Sequence, residues 1–194
     1  MNQKKRVLII AGPTGSGEST ITNTIIKRYP VFTRLVTATT RAPRLNEKDG
    51  IDYYFLDDET FKREVTAGNI IEHTFVPGRN VYYGTYKPDL EKKLAEGKNI
   101  IVNLDVVGAR YYKEHYNATT IFIKTESLGV LQKRLIKRDP NISQEELQAR
   151  INAALYELEN EESFYDYVLV NKNGALGEVV AQVEDILAKE GYIA

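Results

Sequence analysis

Nine residues, Gly12, Pro13, Thr14, Gly15, Ser16, Gly17, Glu18, Ser19 and Thr20, follow the pattern G-x-x-x-x-G-K-[ST] at every defined position except 18. The chemistry this spacing serves is phosphate binding by main chain. Glycines at 12, 15 and 17 let the backbone curl until successive N–H groups point inward, and the N-terminus of a following helix adds its partial positive charge. Ser19 stands where a hydroxyl ligates a magnesium ion bridging terminal phosphates. Glu18 stands where the pattern has lysine. At about 4 Å from phosphate oxygens, exchanging a cation for an anion reverses an interaction of roughly 4 kcal/mol per unit charge at an effective dielectric of about 20. Donor binding, catalysis or both are expected to suffer.

A second group lies between residues 36 and 86. Thr39-Thr40-Arg41-Ala42-Pro43-Arg44 is followed by Glu47, Gly50 and Asp52-Tyr53-Tyr54-Phe55, then by Ile71-Glu72-His73 and Val81-Tyr82-Tyr83-Gly84-Thr85. Two arginines three apart, stiffened by proline, converge on one phosphate, and tyrosine hydroxyls add neutral donors to it. A glutamate matches the adjacent N–H donors on the Watson–Crick edge of guanine and repels bases that lack them. Residue by residue, an exposed β-ribbon with aromatic pairs and solvated charges fits as well. A third group, Arg134, Arg138 and Arg150, brackets the polar turn Asp139-Pro140-Asn141-Ile142-Ser143; Ser143 and Glu146 have the spacing of a capping box. A solvated hinge is the plain alternative there.

The elements that must position these groups alternate in type. Val7 to Ala11 is an apolar, β-branched run expected as a strand buried on both faces, and Ser19 to Arg28 continues with helical spacing of Ile21, Ile25 and Ile26. From Val36 to Tyr86 the rhythm breaks. Extended runs are expected at Asp52 to Leu56, Ile70 to Val76 and Asn80 to Tyr83, with one helix at Asp58 to Ala67. Then come helix Pro88 to Glu96, strand Asn99 to Leu104, helix Val107 to His115, strand Thr119 to Lys124 and helix Ser127 to Arg138. A long helix Ser143 to Glu161, strand Tyr167 to Val170 and helix Leu176 to Lys189 complete the chain. Repeated βα units predict a parallel sheet covered on both faces, with ligands at the carboxyl ends of its strands.

The 194 residues, 42% hydrophobic, suffice for one domain or a core with a small insertion. A net charge of −1 gives no bulk reason to expect nucleic acid or a membrane surface as partner. With no cysteine, thiolate metal sites and disulfides are excluded. No apolar run reaches the length of a signal-peptide core or a membrane span, so a cytoplasmic location is the expectation. His73 and His115 lack neighbouring ligands for a metal site, and Tyr111, Tyr112 and Tyr116 are expected to be partly core.

Taken together, these motifs resemble guanylate kinase, a P-loop nucleoside monophosphate kinase family. The resemblance runs from Val7 to about Val180. Its Thr-Thr-Arg-x-Pro-Arg, Gly-x-Asp-Tyr-x-Phe and Tyr-Tyr-Gly-[ST] segments are matched at Thr39 to Arg44, Gly50 to Phe55 and Tyr82 to Thr85. The resemblance implies an α/β P-loop kinase fold: a five-stranded parallel sheet flanked by helices, a small mixed α/β GMP-binding insert at 36–86 in a core of 1–35 and 87–194, and a helical lid at about 137–150. It implies that Gly12 to Thr20 bind ATP with Mg²⁺ on Ser19. Arg41, Arg44, Tyr53 and Tyr83 would hold the GMP phosphate, and Thr37, Glu72, Thr85 and Asp105 would read the guanine. Arg41, Arg138 and Arg150 would neutralise the transferring phosphoryl group. GMP and ATP are the implied partners, with no obligate protein partner.

Three departures accompany the matches. Besides Glu18, Asn103 stands in Asn103-Leu104-Asp105 where the family usually has Asp-x-Asp, and Asn46 replaces a common glycine. Three readings follow: an ATP:GMP phosphotransferase with an altered donor site; a guanylate-kinase-like module that binds GMP or a phosphorylated partner without turnover; and a regulatory GTPase, suggested by Asp105-Val106-Val107-Gly108 and Asn171-Lys172-Asn173-Gly174. The lid arginines favour the first over the second. Gly174 lacks the carboxylate that the third requires, so 171–174 reads better as the turn leaving the last strand.

Overall fold

The structure, a computed structural model, describes residues 5–45, 47–76 and 80–193; Asn46 lies outside them. In chain order run β1 (Val7–Ala11), α1 (Glu18–Arg28), β2 (Phe32–Arg34), β3 (Thr37–Thr39), β4 (Tyr54–Phe55), α2 (Asp58–Thr66), β5 (Ile70–Val76) and β6 (Val81–Tyr86). Then follow α3 (Lys87–Ala95), β7 (Asn99–Val102), α4 (Val106–Tyr116), β8 (Thr119–Lys124), α5 (Leu128–Arg138), α6 (Gln144–Asn160), a 3-10 turn (Glu162–Phe164), β9 (Tyr167–Val170) and α7 (Leu176–Lys189).

Two sheets result, a five-stranded one in the order β2-β7-β1-β8-β9 and a four-stranded one in the order β4-β3-β6-β5. In the first, β8 pairs parallel with both β1 and β9. Every residue of β1 and β7 is buried, the burial expected of parallel strands covered on both faces. α7 presents Val179, Val180, Val183, Ile186 and Leu187 to the core, a helical stripe of period near 3.6. Tyr112 is fully buried while Tyr111 and Tyr116 are half-buried, so the α4 tyrosines divide as a helix face would divide them. The second sheet is mixed, with β3 parallel to β4 and antiparallel to β6. The chain forms two compact units, residues 1–30 with 101–194, and residues 31–100.

The helix and strand periods placed most elements within a residue or two. β2 and β3 were not expected: three residues each, they carry no alternation long enough to read. β4 is shorter than the expected Asp52 to Leu56. Asp52 accepts from the Lys48 amide at 2.7 Å and Asp49 from the Phe55 amide at 2.8 Å, so side chains hold 48–53 as a turn in place of a ladder. Conversely, Asn80 to Tyr83 extends to Tyr86 because β6 pairs along its length with β5.

Candidate active site

The loop after β1 is built from main chain and held by main-chain contacts. Gly12, Gly15 and Gly17 all have positive φ, and Gly17, at φ 107°, opens α1. The curl cannot take side chains at either end: a Cβ on Gly12 would collide with the Ile123 carbonyl oxygen, and one on Gly17 with the Asn171 amide. The Ser16 carbonyl accepts from Asn171 Nδ2 at 2.7 Å and Arg134 Nη1 at 3.1 Å. Arg134 Nη2 also donates to the Asn171 carbonyl at 2.9 Å. Its guanidinium therefore supports the loop. Thr14, Gly15, Gly17, Glu18, Ser19 and Thr20 line a cavity of about 660 Å³, with Arg134, Arg138, Asn171, Lys172, Gly174 and Leu176 around the rest of it.

Glu18 lies half-buried at the first turn of α1. Desolvation raises its carboxyl to about 8; Glu157 raises it further, and Arg138 opposes both. Glu157, on α6, is itself raised to about 7 by burial, then by Glu161 and Asp105. At neutral pH the Glu18 carboxyl is therefore mostly protonated, and the charge expected from the sequence is largely suppressed. Asn103 Nδ2 donates to the Ile10 carbonyl at 2.9 Å and to Thr22 Oγ1 at 3.1 Å, one helical turn beyond Glu18. A carboxylate at 103 would face the Ile10 carbonyl with no proton to offer; the amide supplies both protons there, while its Oδ1 is buried without a hydrogen-bond partner among the described residues.

Arg138 and Arg150 sit on a helical hairpin. Leu131 and Leu135 of α5 pack on Leu147 and Ala154 of α6, and Ser143 caps α6 by accepting from the Glu146 amide at 3.1 Å. Arg138 is exposed at the end of α5 and lines the donor cavity. Arg150 donates to Glu146 at 2.5 Å, an i,i+4 pair on α6. Asp105 belongs to this same unit, where Oδ1 caps α4 by accepting from the Gly108 amide at 3.0 Å.

The remaining residues of the second group meet within residues 31–100. Thr37 pairs with Thr85 and Thr39 with Tyr83 across β3 and β6. Fully buried Thr85 donates to Glu72 Oε1 at 2.5 Å, bringing Thr37, Glu72 and Thr85 to one place on the sheet. Arg41 lies 5.4 Å from the Tyr53 ring centre, and Tyr53 lies 6.0 Å edge-on from Tyr83. The Arg41 fork is engaged by Glu47, Nη1 to Oε2 at 2.9 Å and Nη2 to Oε1 at 3.0 Å, while Glu47 Oε2 also accepts from the Arg44 amide at 2.7 Å. Those bonds, from Arg41 first, hold the Glu47 carboxyl below its ordinary range. Arg44 is exposed beside them. Glu47 thus sits as an internal anion on the Arg41 fork, with the Tyr53 ring beside the guanidinium.

The guanylate kinase family profile matches residues 4–190. The chain belongs to the guanylate kinase family. It is 38% identical to the guanylate kinase of Clostridium perfringens strain SM101 over 190 residues, which cover 97% of this chain and 85% of that one. Against the guanylate kinase of Helicobacter pylori strain J99 the identity is 38% over 174 residues, covering 89% and 82%. The crystal structure of guanylate kinase from Anaplasma phagocytophilum superposes with a TM-score of 0.73 at 30% identity, over 97% of this chain and 87% of that one. The enzyme is a nucleoside monophosphate kinase of P-loop kinase fold.

Some residues around these groups gave no readable signal. Asn171, 5% exposed, bonds the P-loop from the turn after β9, where its sequence neighbours suggested only a turn. Burial lowers the pKa of Arg34, on β2, while Tyr53 and Asp52 oppose the shift. Glu47 was visible as part of a motif, but its engagement of Arg41 needs the fold of the 41–55 loop. Among the described residues no helix is long and apolar enough to cross a membrane.

Proposed function

We propose that this chain transfers the terminal phosphoryl group of ATP to GMP, giving ADP and GDP, with a donor site weakened by Glu18. The observation that carries the reading is the convergence of Arg41, Tyr53, Tyr83 and Glu47 beside the Thr37, Thr85 and Glu72 group on one sheet. Arg41, Arg44, Tyr53 and Tyr83 hold the acceptor phosphate; the incoming dianion replaces Glu47 at the Arg41 fork, one oxyanion for another. Glu72, Thr37, Thr85 and Asp105 read the guanine edge. Gly12 to Thr20 hold the donor phosphates on backbone N–H groups.

Among the described residues no cluster of three His, Cys, Asp or Glu could hold a metal ion. An ion at Ser19 would draw its other ligands from phosphate oxygens and water, and that hard-oxygen set suits Mg²⁺. Bound there, Mg²⁺ would neutralise charge on the terminal phosphates. Phosphoryl transfer needs positioning and charge neutralisation and no covalent nucleophile. Arg138 and Arg150 supply the neutralisation from the α5–α6 hairpin, with Arg150 leaving Glu146 to do so. A module that binds GMP or a phosphorylated partner without turnover is the second reading, and Glu18 is the residue that favours it.

A coupled assay of ADP formation with GMP or AMP as acceptor, beside calorimetric titration of each, tests the proposal. GMP is expected to be preferred at least about tenfold, since a base with mismatched donors leaves buried polar groups unpaired at a cost of ~1–3 kcal/mol each. Equal affinities for the two nucleotides would remove the guanine assignment.

A further inference from the structure

Outside the groups assigned above, one buried charged cluster has no role in the proposed chemistry. Asp89, in the first turn of α3, is 8% exposed and accepts three hydrogen bonds. Oδ2 takes the Val36 amide at 3.1 Å and Lys93 Nζ at 2.5 Å, and Oδ1 takes the Tyr54 hydroxyl at 3.2 Å. Lys93 also donates to the Arg34 carbonyl at 2.8 Å. All of these groups lie in the unit formed by residues 31–100.

The partners have a pattern in sequence. Val36 precedes Thr37, and Tyr54 follows Tyr53. Two of the segments bonded to the cluster thus carry a residue of the proposed acceptor site immediately beside the bonded position. Where the chain enters β4, successive side chains diverge: Tyr54 donates to Asp89 and packs at 4.6 Å from Tyr86, whereas Tyr53 lies against Arg41 and Tyr83. β6, which carries Tyr83 and Thr85, runs directly into α3. One carboxylate therefore ties the start of β3, β4 and the helix leaving β6, three segments whose register sets the distance between phosphate and guanine ligands. β3 and β4 share only the Ala38↔Tyr54 and Thr39↔Phe55 pairs, so the ladder alone fixes this corner weakly.

We infer that Asp89, with Lys93 and Tyr54, is a positioning residue for the acceptor-phosphate site: it touches no substrate but fixes Tyr53 and Thr37 relative to Tyr83 and Thr85. This rests on the acceptor-site reading proposed above. A buried salt bridge is weak evidence of net stabilisation, because desolvating both ions offsets much of their attraction. Its geometric specificity is the property that a ligand site uses. Burial, and then Asp89, pushes the Tyr54 phenol up to about 12, so the hydroxyl remains a donor through the working pH range.

The test is calorimetric titration of GMP and, separately, of ATP into the full chain and its Asp89→Asn, Tyr54→Phe and Asp89→Asn/Lys93→Met variants, with a melting curve on each sample. Asp89→Asn is expected to weaken GMP binding about tenfold and Tyr54→Phe about threefold, since ligands displaced by a fraction of an ångström lose much of their grip. ATP affinity is expected to stay within about twofold in both, as the donor loop is not part of the network. A role confined to stability would lower the melting temperature and leave the GMP affinity of the folded fraction unchanged. That result in Tyr54→Phe, the variant least able to unfold the chain, overturns the inference, as does equal loss of both affinities. Recovery of unmodified GMP affinity in the double variant would trace the Asp89→Asn effect to an unpaired lysine and overturn it too. If the unmodified chain binds no GMP, the acceptor-site reading fails first and the inference falls with it.

Discussion

On the proposed reading, the P-loop and the 31–100 unit would bind phosphate by different means. In the loop, the cradle is main chain: positive-φ glycines shape it, and Asn171 and Arg134 hold the Ser16 carbonyl. Among the described residues, the side-chain hydrogen bonds that hold this curl come from 171 and 134 and not from position 18. In the 31–100 unit, the proposed phosphate ligands are themselves side chains held by neighbours: Arg41 by Glu47, and Tyr53 by the strand that Tyr54 anchors. A main-chain site keeps its shape when one side chain changes and loses only that side chain's charge. A side-chain site loses a ligand, and its neighbours lose a partner. This explains how the chain retains a well-formed phosphate loop without a cation at its centre.

Substitutions that separate the two regions should have graded effects. The largest is expected at Arg150→Ala, which removes neutralisation of charge that develops only in the transition state. It should lower kcat by about 10²-fold, comparable to losing one preorganised donor, with little change in KM for GMP. A raised KM with kcat untouched would move Arg150 from the lid to the ground-state site. Next is Arg44→Ala. It removes a contact already present in the bound ground state, so calorimetry should find GMP about tenfold weaker, at the low end for a hydrogen bond to a charged group, with ATP affinity unchanged. Coupled losses of both affinities would dissolve the distinction between the regions.

The smallest effect is on stability. Glu18 and Glu157 have folded-state pKa values raised from 4.5 to about 8 and about 7, so the folded chain keeps protons that the unfolded chain has lost. Their contribution is full below pH ~4.5 and is lost as pH rises through those two values. In the absence of magnesium and nucleotide, the melting temperature should therefore decline between about pH 5 and pH 8.5, and Glu18→Gln should flatten the upper part of that decline by a few degrees. Scanning calorimetry at matched ionic strength reads this directly. An unchanged slope in Glu18→Gln would mean the carboxyl is solvated and charged at neutral pH.

What the sequence disclosed follows the same division. The P-loop was legible because main-chain geometry leaves its mark in glycine spacing, and the βα alternation because buried parallel strands such as Val7–Ala11 are continuously apolar. Arg41, Arg44, Tyr53 and Tyr83 were legible as a family pattern. Their arrangement was not, because it depends on β2 and β3, three residues each, and on a turn at 48–53 built by Asp49 and Asp52. Supporting groups left the least trace. Asn171 and Arg134 act on a carbonyl 155 and 118 residues away in sequence, and no local spacing announces such a contact. The upward pKa shift of Glu18 was not legible for a related reason, since it is set by burial and then by Glu157 on another helix.

The account's central claim is that the chain is a guanylate kinase whose donor loop is intact in shape and deficient in charge. Steady-state kcat/KM for ATP at saturating GMP, measured on the unmodified chain and on Glu18→Lys, tests it most directly. The account predicts a rise of about one to three orders of magnitude in Glu18→Lys, equivalent to ~1.4–4 kcal/mol of transition-state stabilisation, with GMP affinity unchanged. A rate typical of nucleoside monophosphate kinases in the unmodified chain, unaltered or lowered by Glu18→Lys, would contradict it.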